Sequence, residues 1–529
     1  MKFWKNKNIV LGIICLVFLL IIRLPSFFGP PFSSDEGFYL TIGESLNNGD
    51  LLYRDIWDNK PPLLYMIFAI SNFVFGPTIY PLRILTFLLS VITILLTVQV
   101  GRSILKFSPQ QSRILLVVAT LLNAYFFEVM LLNAENIFVP LILGGLICFH
   151  KGIVQYHTKG FDSRWLAIGG ALFALATWTK LITIPEIGIL LVILVGTLIL
   201  GIDTKKHSVS SLLTNGVRAG VAFLTPGIVL WLATAVFFLA NGSWGEFFQG
   251  VIGFSGNYIS YDNQAVLFGL PLPFLTTNII NLILVIAIFS ISSYYLYRSK
   301  IIKDQDLHSY LLLNWTAVCI FCIFVSSRGY PHYFQQILPA LSLVIVFLIV
   351  NFQTAKTWLQ KTLLIVVPLI ILSNLLNSFT GGSGLYNWFT FRTYYGGFVS
   401  WISGQQTYDE WIKSFDSTNY NKRDALGSFV VNTKSSDSIY LLGSSPEIYA
   451  QTQTMPGYNF IVDYHFNEDS DSEAVVLELK KNNARDVYID SSSQQSEEFK
   501  ISLSSNGYSM LNTLTVENTV YYHYSLITG

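Results

Sequence analysis

Long, uninterrupted runs of apolar residues are the feature that most constrains this chain. Most of them are about 20 residues long, which is the length a helix needs to cross a bilayer. Hydrophobic residues make up 52% of the sequence and charged residues only 12%, against about 25% charged residues in a soluble domain. We therefore predict an α-helical polytopic membrane protein with about 11 transmembrane helices. The eleven runs lie near 8–26, 80–100, 113–127, 133–150, 165–179, 184–202, 217–240, 267–297, 310–326, 333–352 and 361–379.

The distribution of lysine and arginine predicts the orientation of these helices, because cytoplasmic loops are enriched in both residues. A basic cluster precedes the first run, and later clusters occupy every second connection, while the alternate connections contain few basic residues. This pattern predicts a multi-pass protein of the cell membrane with a cytoplasmic N-terminus. The segment 61–76 is apolar but short, and a crossing there would invert every later loop. We interpret it as an interfacial or re-entrant helix.

The composition of the chain changes after residue 400. Residues 401–529 contain 17 acidic and 8 basic residues, whereas the rest of the chain carries the opposite excess. We predict a small extracytoplasmic α/β domain over 401–529, joined by a linker over 380–400 to a transmembrane domain over 1–379. Within the transmembrane domain, the first external loop, 27–79, is predicted to contain interfacial helices.

Local patterns within the tail predict its secondary structure. Short apolar stretches at 438–444 and 486–492 are typical of strands, and 472–483 has the apolar spacing of an amphipathic helix. The last apolar stretch predicts a closing hairpin with its turn near Glu517 and Asn518. Such a domain has two alternative roles, acceptor recognition or a lid, and the sequence favours neither. The aromatic loop 241–262 is predicted to lie flat at the outer surface, with Trp244, Phe247 and Phe248 in lipid.

Most charges inside or beside the apolar runs fall, on this topology, in extracytoplasmic connections. A charge at the centre of a span costs about 2.5–3.5 kcal/mol on insertion scales. Charges collected near one face of a bundle therefore indicate a polar cavity that opens to that side. The residues concerned are Asp35, Glu36, Arg54, Asp55, Asp58, Lys60, Glu128, Glu135, Lys180, Glu186, Arg328 and His332.

The mixture of signs fits the transfer of a group from a lipid-linked phosphate. Lys60, Lys180 and Arg328 are suited to neutralise a phosphate or diphosphate at the membrane surface. A carboxylate such as Asp35 is suited to act as a general base, which a hydroxyl nucleophile needs as it attacks. No nucleic-acid partner is indicated, because the net charge is zero.

Each of these residues also has a structural explanation when it is taken alone. Asp35 and Glu36 would suit the first turn of a helix that begins near Gly37. Lys60 would reach the membrane surface as an interfacial lysine. Surface anchoring or pairing with nearby acids would explain Lys180 and Arg328, and helix capping would explain Glu135. His332 would be a neutral interfacial histidine whose hydrogen bonds are satisfied by the backbone.

The first loop as a whole resembles that of a known family. The stretch SSDEGFYLTIGESLNNGDLLYRDIWDNKPPLLYMIFA is similar to the corresponding loop of membrane-embedded GT-C glycosyltransferases. More narrowly, it resembles the bacterial group that is similar to protein O-mannosyltransferases and to the lipid A aminoarabinose transferase. Weaker similarities occur at 176–180, 328–339 and 440–460. The matching residues of the loop are Asp35, Glu36, Gly49, Tyr53, Asp55, Lys60, Pro61 and Pro62.

The resemblance implies inverting transfer of a sugar from a polyprenyl-phosphate-linked donor to an acceptor protein, lipid or cell-wall glycan, with membrane lipids as further partners. Catalysis would fall to Asp35 as the base, with Glu36 beside it. The donor phosphate would be bound by Lys60, Lys180, Arg328 and His332. A second acidic site would be formed by Glu135 and Asp55. No cofactor is required for such a transfer; some relatives bind a divalent metal, but no metal-ligand spacing is present here, and the question stays open.

Two other classes of function compete with this prediction. A transporter or flippase of a lipid-linked or anionic solute would also bury charged residues, but such proteins usually have paired halves with broken helices in corresponding positions. No such symmetry is apparent in the sequence. A membrane-anchored scaffold that presents the acidic tail would leave the charges near the apolar runs unexplained.

Overall fold

A computed structural model of the chain describes its helical part and its C-terminal domain. The described residues are 7–29, 34–124, 128–154, 160–203, 209–254, 265–267, 270–272, 314–323, 330–352, 388–465 and 471–527. The chain forms two compact units. Unit 1 comprises Met1–Leu24, Leu85–Asn241 and Gly253–Gly382, and unit 2 comprises Pro25–Ile84, Gly242–Ile252 and Ser383–Gly529.

Helices dominate the described residues, and short strands are concentrated near the C-terminus. The helices are α1 (Lys7–Arg23), α2 (Ser34–Asn47), α3 (Leu63–Phe75), α4 (Tyr80–Ser103), α5 (Pro109–Leu122), α6 (Ala134–Ile153), α7 (Ser163–Thr179), α8 (Ile184–Asp203), α9 (Val209–Ala240), α10 (Trp244–Phe248), α11 (Asn314–Ile323), α12 (Leu338–Phe352), α13 (Trp388–Ile402), α14 (Tyr408–Thr433), α15 (Glu447–Thr452), α16 (Ser472–Lys481) and α17 (Ser496–Ser505). The strands are β1 (Ala265–Leu267), β2 (Leu270–Leu272), β3 (Ser438–Leu442), β4 (Met455–Pro456), β5 (Asp486–Asp490), β6 (Tyr508–Val516) and β7 (Thr519–Leu526).

Apolar helices account for most of the predicted spans. Among the described residues, four helices are long and apolar enough to cross a membrane: Lys7–Phe27, Tyr80–Ser103, Ala134–Ile153 and Thr214–Ala240. Shorter apolar helices occupy several of the other runs. The predicted span 361–379 lies outside the described residues. The predicted span 267–297 begins within the β1–β2 hairpin and otherwise lies outside the described residues, so the number of eleven spans is not confirmed.

Unit 1 is built around close contacts of α7 with α6 and α9. A side-chain carbon added at Gly170 of α7 would lie 1.8 Å from the carbonyl oxygen of Phe223 in α9. Only glycine permits this approach, as is common where membrane helices pack on small residues. The opposite side of α9 exposes apolar side chains such as Val221, Val229 and Leu232, which is the surface expected to face lipid.

A buried arginine joins three segments of unit 1. Arg23, the last residue of α1, donates hydrogen bonds through Nη2 to Ser90 Oγ at 2.8 Å and to the carbonyl oxygen of Asn123 at 2.9 Å. Its Nη1 donates to the carbonyl oxygen of Val129. These bonds satisfy a charge that would otherwise be costly in an apolar environment. They also tie α1 to Asn123 at the end of α5 and to Val129 ahead of α6.

Unit 2 joins the first loop to the C-terminal tail. Helix α15 packs against α2 so closely that a side-chain carbon at Gly37 would lie 2.3 Å from Glu447 Cβ. Thr41 Oγ1 also donates a hydrogen bond to the carbonyl oxygen of Pro446 at 3.1 Å. The stretch 440–460, singled out in the sequence, therefore docks on the helix that carries Asp35.

Helix α3 occupies the ambiguous segment 61–76. It has 13 residues and is therefore about 20 Å long, shorter than the roughly 30 Å hydrocarbon core of a bilayer. One face, which includes Tyr65 and Phe68, is buried, while Phe73 is 82% exposed. The length and the one-sided burial support an interfacial or re-entrant helix.

The tail forms a five-stranded mixed sheet in the order β4-β3-β5-β7-β6. Strand β3 pairs in parallel with β4 and β5, and β7 pairs antiparallel with β5 and β6. Helix α16 buries Val475, Val476 and Leu479 in the core under this sheet. The predicted strands, amphipathic helix and closing hairpin are thus confirmed, with Glu517 adopting a positive φ of 53° in the hairpin turn.

Two segments differ from the sequence prediction. Helix α13 occupies much of the predicted linker 380–400 and packs through Tyr394 and Phe398 against Trp411 of α14. This aromatic packing makes the helical part of the linker a structural element.

The prediction that Phe247 lies in lipid is also wrong. Its ring is buried with its centroid 5.4 Å from that of Tyr53, because the first loop offers an apolar surface there.

Candidate active site

A break between two helices positions Lys180 in unit 1. Helix α7 ends at Thr179, and Lys180 has an extended backbone (φ −158°, ψ 128°) before a short turn that leads into α8. Its Nζ donates to Glu135 Oε1 at 2.6 Å and lies 4.0 Å from the centre of the Tyr333 ring. Glu135 is buried in the first turn of α6. The predicted donor-binding lysine and the predicted second acid therefore form an ion pair.

His332 lies beside this pair. Its ring centroid is 4.7 Å from that of Tyr333, the residue whose ring also contacts Lys180. His332 Nδ1 lies 2.9 Å from Glu128 Oε2. Glu128 directly precedes Val129, whose carbonyl oxygen accepts a hydrogen bond from Arg23. The structure thus brings Lys180, Glu135 and His332 together in one unit. Arg328 lies outside the described residues.

The arrangement balances positive and negative groups. Lys180 faces one carboxylate, and His332 faces a second one. None of the described residues donates a hydrogen bond to Glu135 Oε2, although this oxygen is buried. Chemically, such a cluster supplies a lysine cation, a titratable ring and carboxylate oxygens in a mainly apolar unit. Within the described part of the chain, no three His, Cys, Asp or Glu side chains are arranged to hold a metal ion.

A second charged cluster lies in unit 2, around Asp58. Asp58 Oδ2 accepts hydrogen bonds from Lys60 Nζ at 3.2 Å and from the hydroxyl of Tyr65. Its Oδ1 lies 3.8 Å from Nε2 of His465, a residue of the tail. Burial by itself would raise the pKa of Asp58, but the charges of Lys60 and His465 and the bond from Tyr65 hold it below its usual value. The cluster therefore keeps an ionised carboxylate in a buried position beside Lys60.

The remaining predicted residues of the first loop have different surroundings. Asp35 lies in the first turn of α2 and is partly exposed; no described residue forms a hydrogen bond or ion pair with its carboxylate. Glu36 is completely buried and pairs with Arg83, and its catalytic role stays a prediction. Asp55 accepts a hydrogen bond from the backbone N–H of Leu51, which closes the loop. It also forms an ion pair with Arg54.

The sequence prediction did not assign a role to Asp58, Tyr65 or His465. Asp58 was noted only as one of several charges in the loop. Tyr65 belongs to an apolar segment and His465 to the distant tail, and neither has a spacing that indicates a shared site. Pairing of the tail with the first loop is what brings them together, and a local pattern does not contain that information.

Acidification is expected to destabilise the unit that contains His465. Burial lowers the pKa of His465 from 6.5 to about 4, although Asp58 opposes the shift. Between these two values the unfolded chain binds a proton that the folded chain does not, so the free energy of unfolding falls as the pH falls. The expected loss across this window is on the order of 3 kcal/mol. Thermal unfolding of the purified protein between pH 7 and pH 4 measures it, and His465→Gln should flatten the dependence; an equal slope for both proteins would contradict the assignment.

Comparison with solved structures places this fold. ArnT from Cupriavidus metallidurans, solved bound to undecaprenyl phosphate, matches with a TM-score of 0.51 and 13% identity, over 98% of this chain and 97% of that chain. The oligosaccharyltransferase of Archaeoglobus fulgidus in its apo form matches with a TM-score of 0.44 and 14% identity, over 92% of this chain and 70% of that chain. The archaeal oligosaccharyltransferase AglB from the same organism, in complex with an inhibitory peptide and a dolichol-phosphate, matches with a TM-score of 0.45 and 13% identity, over 99% and 74%.

The match with ArnT, which extends over nearly the whole of both chains, shows that this chain has the GT-C fold. This confirms the fold that the resemblance of the first loop implied. No protein family and no curated protein matches the sequence.

Proposed function

We propose that the protein is an inverting glycosyltransferase that moves a sugar from a polyprenyl-phosphate-linked donor to an acceptor at the extracytoplasmic face of the cell membrane. The observation that carries this proposal is the cluster of Lys180, Glu135 and His332 in a largely apolar helical unit of GT-C fold. Ionisable groups inside a membrane protein are costly and usually serve a function. The proposal keeps the predicted orientation, with a cytoplasmic N-terminus and an extracytoplasmic tail.

The proposed reaction is a single displacement at the anomeric carbon of the sugar. The acceptor oxygen forms a bond to this carbon while the bond to the phosphate oxygen breaks, and polyprenyl phosphate leaves with the electron pair. Asp35 takes the proton of the acceptor hydroxyl as general base. Its partial exposure in the first turn of α2 suits this role better than the buried position of Glu36.

Lys180, His332 and Arg328 are proposed to stabilise the phosphate as negative charge develops on it, and Lys60 is proposed to bind the donor phosphate equally in the ground state and the transition state. The ion pair with Glu135 supports this role for Lys180, because the carboxylate holds the ammonium group in a fixed position, at 2.6 Å, before the donor binds. The ring of Tyr333 adds a further contact that favours the cation at this position.

An apolar groove in unit 1 supports a lipid-linked donor. Helices α7, α8 and α9 line it with side chains that include Phe173, Ile184 and Trp231. Thr177 and Ile184, which also line the groove, bracket the break that holds Lys180. A lipid chain bound in this groove would contact residues that lie within four positions of Lys180 in the sequence. Lys180 is a cation suited to bind the phosphate of such a lipid.

Reconstitution tests the proposed function. The purified protein would be placed in liposomes with a panel of undecaprenyl-phosphate-linked sugars and candidate acceptors, and release of undecaprenyl phosphate would be measured by mass spectrometry. We expect release that depends on both donor and acceptor. Appearance of intact donor on the opposite leaflet, without release of the carrier, would contradict the proposal and favour the transporter alternative.

A further inference from the structure

We propose that the C-terminal tail positions Lys60, by placing His465 against the Asp58 carboxylate that holds the lysine. Neither residue is assigned this role by the resemblance, and the role of the tail was left open between acceptor recognition and a lid. This inference rests on the proposed function in one respect, namely that Lys60 acts on the donor phosphate.

The first loop holds Lys60 through both its side chain and its backbone. The ammonium group donates to Asp58 Oδ2 at 3.2 Å and to Asn59 Oδ1 at 3.3 Å. The backbone is held as well, because Lys60 N donates to the hydroxyl of Tyr65 at 3.2 Å and the hydroxyl of Tyr53 donates to the carbonyl oxygen of Lys60 at 2.7 Å. Asp58 is therefore the anion that fixes the direction of the lysine side chain.

The C-terminal tail covers the other side of the Asp58 carboxylate. His465 is 4% exposed, and its ring centroid lies 4.7 Å from that of Trp57 and 5.6 Å from that of Phe38. The backbone of the same tail segment meets the loop directly, since Trp57 N donates to the carbonyl oxygen of Asn459 at 3.0 Å. A defined set of contacts therefore seats His465 next to Asp58.

His465 acts on this carboxylate by contact rather than by a hydrogen bond. Its Nε2 is 3.8 Å from Asp58 Oδ1, which is too long for a hydrogen bond. The imidazole ring instead keeps water away from the carboxylate, whose residue is only 1% exposed. Attraction between Asp58 and Lys60 is stronger in such a low-dielectric setting than in water. His465 is thus a positioning residue that acts on the lysine through Asp58.

The experiment combines kinetics with a direct measure of the lysine. His465→Ala and His465→Gln would be compared with wild type in the reconstituted assay, and the labelling rate of Lys60 by an amine reagent would be followed by mass spectrometry on the full-length protein. We expect His465→Ala to raise the KM for the donor about tenfold with kcat within about twofold, and to label Lys60 several times faster. The bulkier His465→Gln should recover part of both effects.

A matched control separates positioning from general damage to the tail. His523 is also a buried histidine of the tail, with Nε2 3.0 Å from Asp486 Oδ1. His523→Gln should leave the KM and the labelling of Lys60 at wild-type values. Equal labelling of Lys60 in His465→Ala and wild type, or equal effects of the two histidine substitutions, would overturn the inference. If no donor is consumed even by wild type, the proposed function fails, while the labelling comparison still decides the positioning.

Discussion

Replacement of Asp35 by asparagine is expected to lower the rate of sugar transfer by about 10²–10⁴-fold, the usual contribution of a general base. The substitution removes the proton acceptor but keeps the size and shape of the side chain. Asp35 is partly exposed, and no described residue pairs with its carboxylate, so the change leaves no buried charge behind. The protein should therefore insert and fold as before, as thermal unfolding in detergent would show.

A second carboxylate on the same helix provides the control for this experiment. Glu44 is also partly exposed on α2, and Glu44→Gln removes the same charge from the helix. We expect Glu44→Gln to retain near wild-type transfer. Wild-type turnover by Asp35→Asn in the proteoliposome assay would exclude Asp35 as the base.

Replacement of Lys180 by methionine is expected to lower the rate of transfer about 10²–10³-fold and also to destabilise unit 1. The ammonium is proposed to stabilise the phosphate in the transition state, and loss of such an interaction typically costs about 10²–10³-fold in kcat. The same change leaves Glu135 buried without its cation. Breaking a buried ion pair in this way usually costs about 3–5 kcal/mol.

The double variant Lys180→Met/Glu135→Gln separates the two effects. With both charges removed, stability should return to near the wild-type value, because no uncompensated ion remains. Transfer should stay as low as in the single variant, because the cation is still missing. Unfolding midpoints and initial rates of the three proteins measure both quantities. Recovery of transfer together with stability would show that Lys180 serves the fold rather than the phosphate.

Local patterns predicted much of this fold, for physical reasons. Runs of apolar residues and the apolar spacing of α16 reflect burial, which acts residue by residue along a helix or strand. The hairpin of β6 and β7 could be located because its turn and flanking strands are contiguous in sequence. The helix within 388–402 was missed because its aromatic side chains carry no simple period, and their burial depends on α14.

The candidate site was predictable only in part. Lys180, Glu135 and His332 were selected as charges beside apolar runs, and the structure places all three in one cluster. Their pairing depends on the packing of α6, α7 and the segment before α12, and no local signal contains that packing. For the same reason the sequence does not reveal that Glu36, which directly follows Asp35, is buried against Arg83.

The assembly of unit 2 from separate stretches of the chain bears on the proposed membrane topology. Three stretches far apart in sequence, 25–84, 242–252 and 383–529, belong to this one compact unit. With all three on the extracytoplasmic side, as we propose, the chain makes an even number of passages between the first and second stretches, and again between the second and third. The predicted runs satisfy this parity, with six in the first interval and four in the second. Any revision of the span count has to add or remove passages in pairs within each interval.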